Sequence, residues 1–131
     1  MNTNTGLGAF DGQKYLSLET YRKNGTGIRT PVWFAAAPIG DAPKLYVYTT
    51  AEAGKVKRIR HNGAVRIAPC GMRGQVTGPW VDARAEIVTG DAFDLGMRLL
   101  NRKYRPWKQI GDLFVRLFRH HERSVLTIQL V

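Results

Sequence analysis

Cysteine is almost absent: Cys70 stands alone among 131 residues. One thiol cannot close an internal disulfide, so a disulfide scaffold is excluded and a reducing cytoplasm is the expected compartment. Long apolar runs are missing too. No stretch approaches the roughly 18 residues of a bilayer-spanning helix, so stable membrane insertion is not expected. The opening MNTNTGLGAF has neither a basic start nor an apolar stretch, so no secretory signal is expected. Metal and hydrolytic chemistry lack their parts. His61, His120 and His121 stand at no ligand spacing to Cys, Asp or Glu, and there is no Ser-His-Asp set, paired carboxylate motif or dinucleotide fingerprint. Metal or haem binding is therefore not expected, and no residue announces itself as a catalytic acid or base. Cys70, with no His or acid near it in sequence, reads as a structural thiol.

Acidic residues are also scarce. There are 10 against 20 Lys and Arg, a formal charge of +10. The excess predicts an anionic partner: nucleic acid, a membrane surface, or a phosphorylated or carboxylated small molecule. It is concentrated. Lys55, Lys57, Arg58, Arg60, Arg66 and Arg73 occur with no acid among them, and a second basic stretch runs from Arg98 to Arg119 against Asp112 alone. The hydrophobic fraction of 44% and charged fraction of 23% are those of an ordinary globular domain. The expected organisation is a polar, poorly ordered stretch over residues 1–13 and one domain over 14–131.

Ser17 reads as the cap of a short helix through Lys23, broken by Asn24-Gly25. Residues 28–39 read as a strand with Ile28, Thr30, Val32 and Phe34 on one face and Arg29, Pro31 and Trp33 on the other. After a turn at Gly40–Pro43, Leu45–Thr49 forms its hairpin partner. Thr50 reads as the N-cap of a helix to about His61. Ala64–Pro69 is a strand, Gly71–Pro79 a loop, and Trp80–Val88 a strand of clean alternation. Asp91 caps a helix with the stripe Phe93, Met97, Leu100 and Tyr104, and Pro106 starts another. Ser124–Val131 closes the chain as a strand. The residues thus give five strands and four helices. Hairpins and single short helices connect them, which suits an antiparallel barrel better than a doubly wound parallel sheet.

The segment YTTAEAGKVKRI, Tyr48–Ile59, holds most of the chemistry. A strand delivers Thr49 and Thr50 to a helix start, where free N–H groups, hydroxyls and Lys55 make an anion site of phosphate size. Lys55, Arg58 and Asn62 share one helical face, Val56 and Ile59 form the docking edge, and Lys57 points away from both. The plain alternative is a capped helix with solvated lysines.

Three stretches together, IRTPVWFA at 28–35, LYVYTTAEAGKVKRIRHNGAVRIAPC at 45–70 and RGQVTGPWVDARAEIV at 73–88, resemble the pyridoxamine-phosphate-oxidase-like split-barrel superfamily. More narrowly, they resemble its deazaflavin (coenzyme F420)-dependent oxidoreductase branch. The resemblance implies a mainly β, α+β fold: a six-stranded antiparallel split β-barrel with flanking helices. It implies a cofactor groove in which Arg29, Thr30, Pro31, Val32 and Trp33 face or edge the ring. Tyr48, Thr49, Thr50, Lys55, Lys57 and Arg58 lie on the phosphate side, and Trp80 lies near the ring and a subunit interface. It further implies a homodimer. Where FMN-binding relatives carry Ser-Arg before the lysine matching Lys55, this chain has Ala53-Gly54, and where they carry a lysine in the preceding strand it has Phe34. Those departures favour deazaflavin over FMN.

Two classes of function follow. One is an oxidoreductase passing hydride between deazaflavin and a small organic substrate, with FMN-dependent catalysis or cofactor binding without turnover as its variants; the cofactor supplies the chemistry and the protein orients it. The other is binding of nucleic acid through Tyr21, Trp33 and Trp80, or of a membrane surface through the basic helix from Pro106 to Arg119. The anionic cofactor already accounts for the charge, and that helix's apolar face is needed over the barrel. The cofactor reading is therefore preferred and no nucleic-acid partner is expected.

Overall fold

The computed structural model describes residues 10, 12–37, 44–50, 53–104 and 123–130. Six strands, β1 (Tyr15–Tyr21), β2 (Gly27–Ala37), β3 (Lys44–Thr50), β4 (Ala64–Cys70), β5 (Val81–Val88) and β6 (Arg123–Leu130), close into an antiparallel barrel in the order β1-β2-β3-β6-β5-β4. Two helices accompany them, α1 (Gly54–His61) and α2 (Gly90–Tyr104). The barrel expected from the sequence is present, with the six strands that the resemblance implied.

The sixth strand is the segment read as a Ser17-capped helix, and that reading is corrected here. Tyr15–Tyr21 alternates strictly. Leu16, Leu18 and Thr20 point into the barrel and are essentially inaccessible, while Tyr15, Ser17, Glu19 and Tyr21 take the outer face. Both edges of the segment are paired, to β2 and to β4. A helix would have left two rows of backbone groups without partners and opened the barrel. Asn24-Gly25 is the tip of the β1–β2 hairpin. Gly25 adopts φ +89°, and the Thr26 N–H donates to Asn24 Oδ1 at 3.0 Å.

The interior follows the period of two. Leu16, Leu18, Val32, Phe34, Leu45, Val47, Ile67, Leu126 and Ile128 fill it, each removed from water at about 1.5–3 kcal/mol per side chain. One end is closed by α1, whose Val56 and Ile59 join the interior as the helical spacing predicted. Phe10 also belongs to this core, its ring edge-on to Phe34 at 6.1 Å. Helix α2 crosses the outer face of β2, β3 and β6, with Phe93, Met97 and Leu100 turned inward. Ala35, Ala37 and Gly96 keep that contact close.

Two helix starts differ from expectation. Thr50 is no N-cap: it is the last residue of β3, paired with Arg123, and α1 begins at Gly54 after Ala53, with no side-chain cap. β6 offers Thr49 and Thr50 ladder partners, and the strand runs on to take them. Likewise α2 begins at Gly90, which puts Asp91 inside the first turn, where a carboxylate still favours the helix dipole. The turn at Gly40–Pro43, the helix from Pro106 and most of the first thirteen residues lie outside the described residues.

Candidate functional site

The strand–helix junction gathers cations. Lys55 is half-buried at the start of α1; burial, and then the neighbouring Arg58, pull its pKa below the ordinary lysine value. Arg58 leans back over the helix start, its Nε donating to Thr20 Oγ1 at 2.6 Å, and a Cβ on Gly54 would come within 2.8 Å of one of its terminal nitrogens. Its own pKa is lowered by burial and then by Arg22, from the β1–β2 hairpin. Three like charges from two elements are thus held close enough to repel, an arrangement that a bound anion would relieve. Lys57 is exposed and points elsewhere, as its helical position predicted. Sequence reasoning did not include Arg22, whose place here depends on the hairpin that replaced the predicted helix.

The β2 stretch divides by face. Thr30 and Val32 lie on the barrel-facing side of the strand; Val32 is 6% exposed, so only its backbone can meet a ligand outside, while Thr30, nearer the strand's start, is half-buried. Arg29, Pro31 and Trp33 take the outer face. Pro31 is exposed with Gly74 beside its ring, and Trp33 lies half-buried against the cluster of Ala35, Tyr48 and Leu100 under α2. Tyr48 is packed beneath that helix, and Thr49 is buried on the inner face beside Ser124. Of Thr50 the structure gives the backbone pairing.

Arg29 has its own partners. Its Nε donates to Glu19 Oε2 at 2.7 Å, and its Cζ sits 4.6 Å from the centre of the Trp80 ring. Tyr21 donates its hydroxyl to the other Glu19 oxygen at 2.7 Å. The Arg29 hydrogen bond holds the Glu19 carboxyl below its usual range against the opposing effect of burial, and burial followed by Glu19 pushes Tyr21 up to about 12. Across the barrel's outer face the pairing register sets Arg29, Glu19, Arg66 and Asp82 in one row of alternating sign, with Arg66 and Asp82 at 3.4 Å. The predicted site residues therefore form three groups: Lys55 with Arg58, Arg29 with Trp80, and Trp33 with Tyr48.

A further cation went unrecognised in the sequence. Lys103, at the end of α2, donates to the Phe34 carbonyl at 2.8 Å and sits 3.5 Å from the centre of its ring; burial brings its pKa down to about 8. Phe34 stands where a lysine was expected for FMN, and α2 delivers one to the same place from 69 residues away. Cys70 is buried and its thiol is pushed up by burial, as a structural thiol would be. Beside it lies an open cavity of about 380 Å³ lined by Lys14, Tyr15 and Met72 among others. Among the described residues no group of His, Cys, Asp or Glu could hold a metal ion.

No protein-family model and no curated protein sequence matches the chain. Solved structures do. A pyridoxamine 5'-phosphate oxidase-related, FMN-binding protein from Nostoc punctiforme is 15% identical over 90% of this chain and 71% of its own, with a TM-score of 0.58. A member of the pyridoxinephosphate oxidase family from Clostridium acetobutylicum, related to general stress protein 26, is 14% identical over 98% and 82%, at 0.62. HutZ, the haem storage protein from Vibrio cholerae, is 17% identical over 100% and 92%, at 0.65. The chain has the pyridoxamine-phosphate-oxidase-like split-barrel fold. Split barrels of this kind thus include FMN-binding and haem-storing proteins. No helix among the described residues is long and apolar enough to cross a membrane.

Proposed function

We propose that this split barrel is an F420-dependent oxidoreductase, taking the deazaflavin against the outer face of β2 and passing hydride between it and a small organic substrate. The observation that carries the reading is the placing of Arg58, bonded to Thr20 and folded over the start of α1 beside Gly54, between two other cations, half-buried Lys55 on its own helix and Arg22 on the β1–β2 hairpin, a group that suits an anion. The donor set suits an extended anion such as a phosphodiester with a carboxylated tail, because its cations come from both a helix start and a neighbouring hairpin. FMN is the alternative, supported by the FMN-binding split barrel of Nostoc punctiforme. In either case the bound cofactor would supply the hydride chemistry. The chain's own residues bind and orient it. Lys55 and Arg58 hold the anionic end, Pro31 and Trp33 line the ring side, and the Arg29–Trp80 stack forms a wall. The reading includes a cytoplasmic homodimer, for which light scattering at micromolar protein should give twice the chain mass; a monomer mass would refute that part.

The test is titration of deazaflavin, FMN and a short oligonucleotide into one preparation. Deazaflavin should bind tighter than FMN, and the oligonucleotide should not compete. Lys55→Ala removes a charge-assisted hydrogen bond and should weaken cofactor binding by about 10- to 150-fold with the fold intact. Lys57→Ala should do less, and high salt should weaken wild-type binding. Wild-type affinity in Lys55→Ala at both low and high salt would remove the phosphate from this junction.

A further inference from the structure

Glu19 is the least accessible carboxylate among the described residues, and nothing in the cofactor reading uses it. Its side chain is 9% exposed, whereas that of Arg29, its ion-pair partner, is 59% exposed. Both carboxylate oxygens are occupied, one by the Tyr21 hydroxyl and one by Arg29 Nε, each at 2.7 Å. Gly27 leaves it room: a Cβ there would lie 2.9 Å from the Glu19 carboxyl carbon. Glu19 and Arg29 are direct cross-strand neighbours, so the backbone register itself brings the carboxylate to the guanidinium. The guanidinium in turn lies over Trp80, just before β5.

An exposed arginine held only by a ring would sample many rotamers, because its side chain has much conformational freedom to lose. Here the buried end of the chain of contacts is fixed, and among the described residues the exposed end has the Glu19 and Trp80 contacts to restrain it. Order therefore passes from Glu19 through Arg29 to Trp80. We propose that Glu19 is a positioning residue for the candidate ring site, holding the Arg29 guanidinium over Trp80 and so fixing the wall those two form; the proposal rests on the cofactor reading above. Arg29 acts here as a neutralised cap on an aromatic wall, not as a phosphate ligand.

The measurement is collisional quenching of Trp80 fluorescence by acrylamide in a Trp33→Phe/Trp107→Phe background, with circular dichroism as the check on folding. A cation–π contact at an exposed site shifts the capped-to-uncapped ratio of the ring by about two- to fivefold, and Glu19→Gln should raise quenching accordingly. Arg29→Met should give a similar rise. In the Arg29→Met background, Glu19→Gln should add nothing, because its effect runs through the guanidinium. Unchanged quenching in Glu19→Gln overturns the proposal. So does an equal rise in both backgrounds, which would mean general loosening. If Glu19→Gln does not fold, Arg29→Lys decides: it keeps the charge but loses Nε, so quenching should approach that of Arg29→Met, and wild-type quenching overturns the proposal. In an otherwise native chain, Glu19→Gln should also weaken whichever of deazaflavin or FMN binds the wild type by about two- to fivefold. If the wild type binds neither, the cofactor reading and the ring-site role fall together, while the quenching series still decides whether Glu19 holds the stack.

Discussion

Gly96 sits where α2 crosses β3 and β6, and filling that position tests how the helix is docked. A Cβ there would lie 2.8 Å from Tyr46 Cδ2 and 2.8 Å from Val125 Cγ1. Carbon contacts settle near 3.5–4.0 Å, so each neighbour would have to retreat by about 0.7 Å or more. Neither has an easy retreat: Tyr46 is 3% exposed and Val125 fully buried, and both belong to strands paired to each other. Gly96→Val places two further methyl groups in the same space. Overpacking of this kind costs about 1–3 kcal/mol, and valine returns about 0.4 kcal/mol of helix propensity relative to glycine. A net loss of about 2 kcal/mol follows, lowering Tm by about 6–10 °C for a chain of this size. The assay is thermal and urea unfolding beside Arg98→Ala, an exposed position on the same helix that should stay within about 0.5 kcal/mol of wild type. Near-UV circular dichroism should weaken as well, because Tyr48 and Trp33 pack under this helix. A Gly96→Val protein as stable as wild type would refute the close docking of α2.

Phe10→Ala should cost about 3 kcal/mol in urea unfolding, because the ring is buried in the barrel core against Phe34; a loss below about 0.5 kcal/mol would show that residue 10 is peripheral. Lys103, with its pKa brought down to about 8, binds fewer protons in the folded than in the unfolded state between that value and 10.5. Wild-type stability should therefore climb from pH 8 to 10.5 relative to Lys103→Met, and the variant should be the more stable at pH 7, by about 1 kcal/mol at most after screening and the lost hydrogen bond. Parallel pH profiles would contradict the placement of this amine. Glu19, held below its usual pKa by Arg29, stabilises the fold above the carboxylate range and loses that contribution as pH falls through its folded value; Glu19→Gln should flatten the acid limb of the stability profile.

The barrel was legible where one face of a strand is polar. Val81–Val88 alternates between core and solvent, and its sequence shows it directly; Arg123–Leu130 alternates in sequence, although its outer-face Val125 and Thr127 are buried as well. Tyr15–Tyr21 also alternates, yet Ser17 on its outer face offered a competing reading as the cap of a short helix. What decided between them was long-range. β2 and β4 each need a partner along this edge, and that demand has no local signature. The Asn24-Gly25 dipeptide was a correct turn signal read as the wrong kind of boundary. Thr50 shows a similar conflict: threonine suits a helix cap, but β6 offers its backbone a ladder partner from 73 residues further along the chain.

The site divides along the same lines. Lys55, Lys57 and Arg58 lie on one helix, so their relative directions follow from a rotation of 100° per residue, and the structure keeps them. The β2 residues could be sorted into faces by alternation, but not into those facing a helix and those facing solvent, because that depends on where α2 crosses. Contacts that join distant segments had no local signal, although the resemblance had placed both Arg29 and Trp80 near the ring. Arg22 reaches Arg58 because β1 ends in a hairpin, Lys103 reaches Phe34 because α2 ends over β2, and Arg29 meets Trp80 because the 71–80 loop returns beside β2. Each of these brings a cation to an aromatic ring or to another cation, and none brings it to a new acid. Among the described residues the basic excess is only partly neutralised from within: Glu19 takes Arg29 and Asp82 takes Arg66, while Arg58 at the start of α1 has Lys55 and Arg22 as like-charged neighbours. That division separates the two roles that a basic residue can play on this barrel. On the proposed reading, the paired cations build the wall and the like-charged ones make the place where an anion would bind.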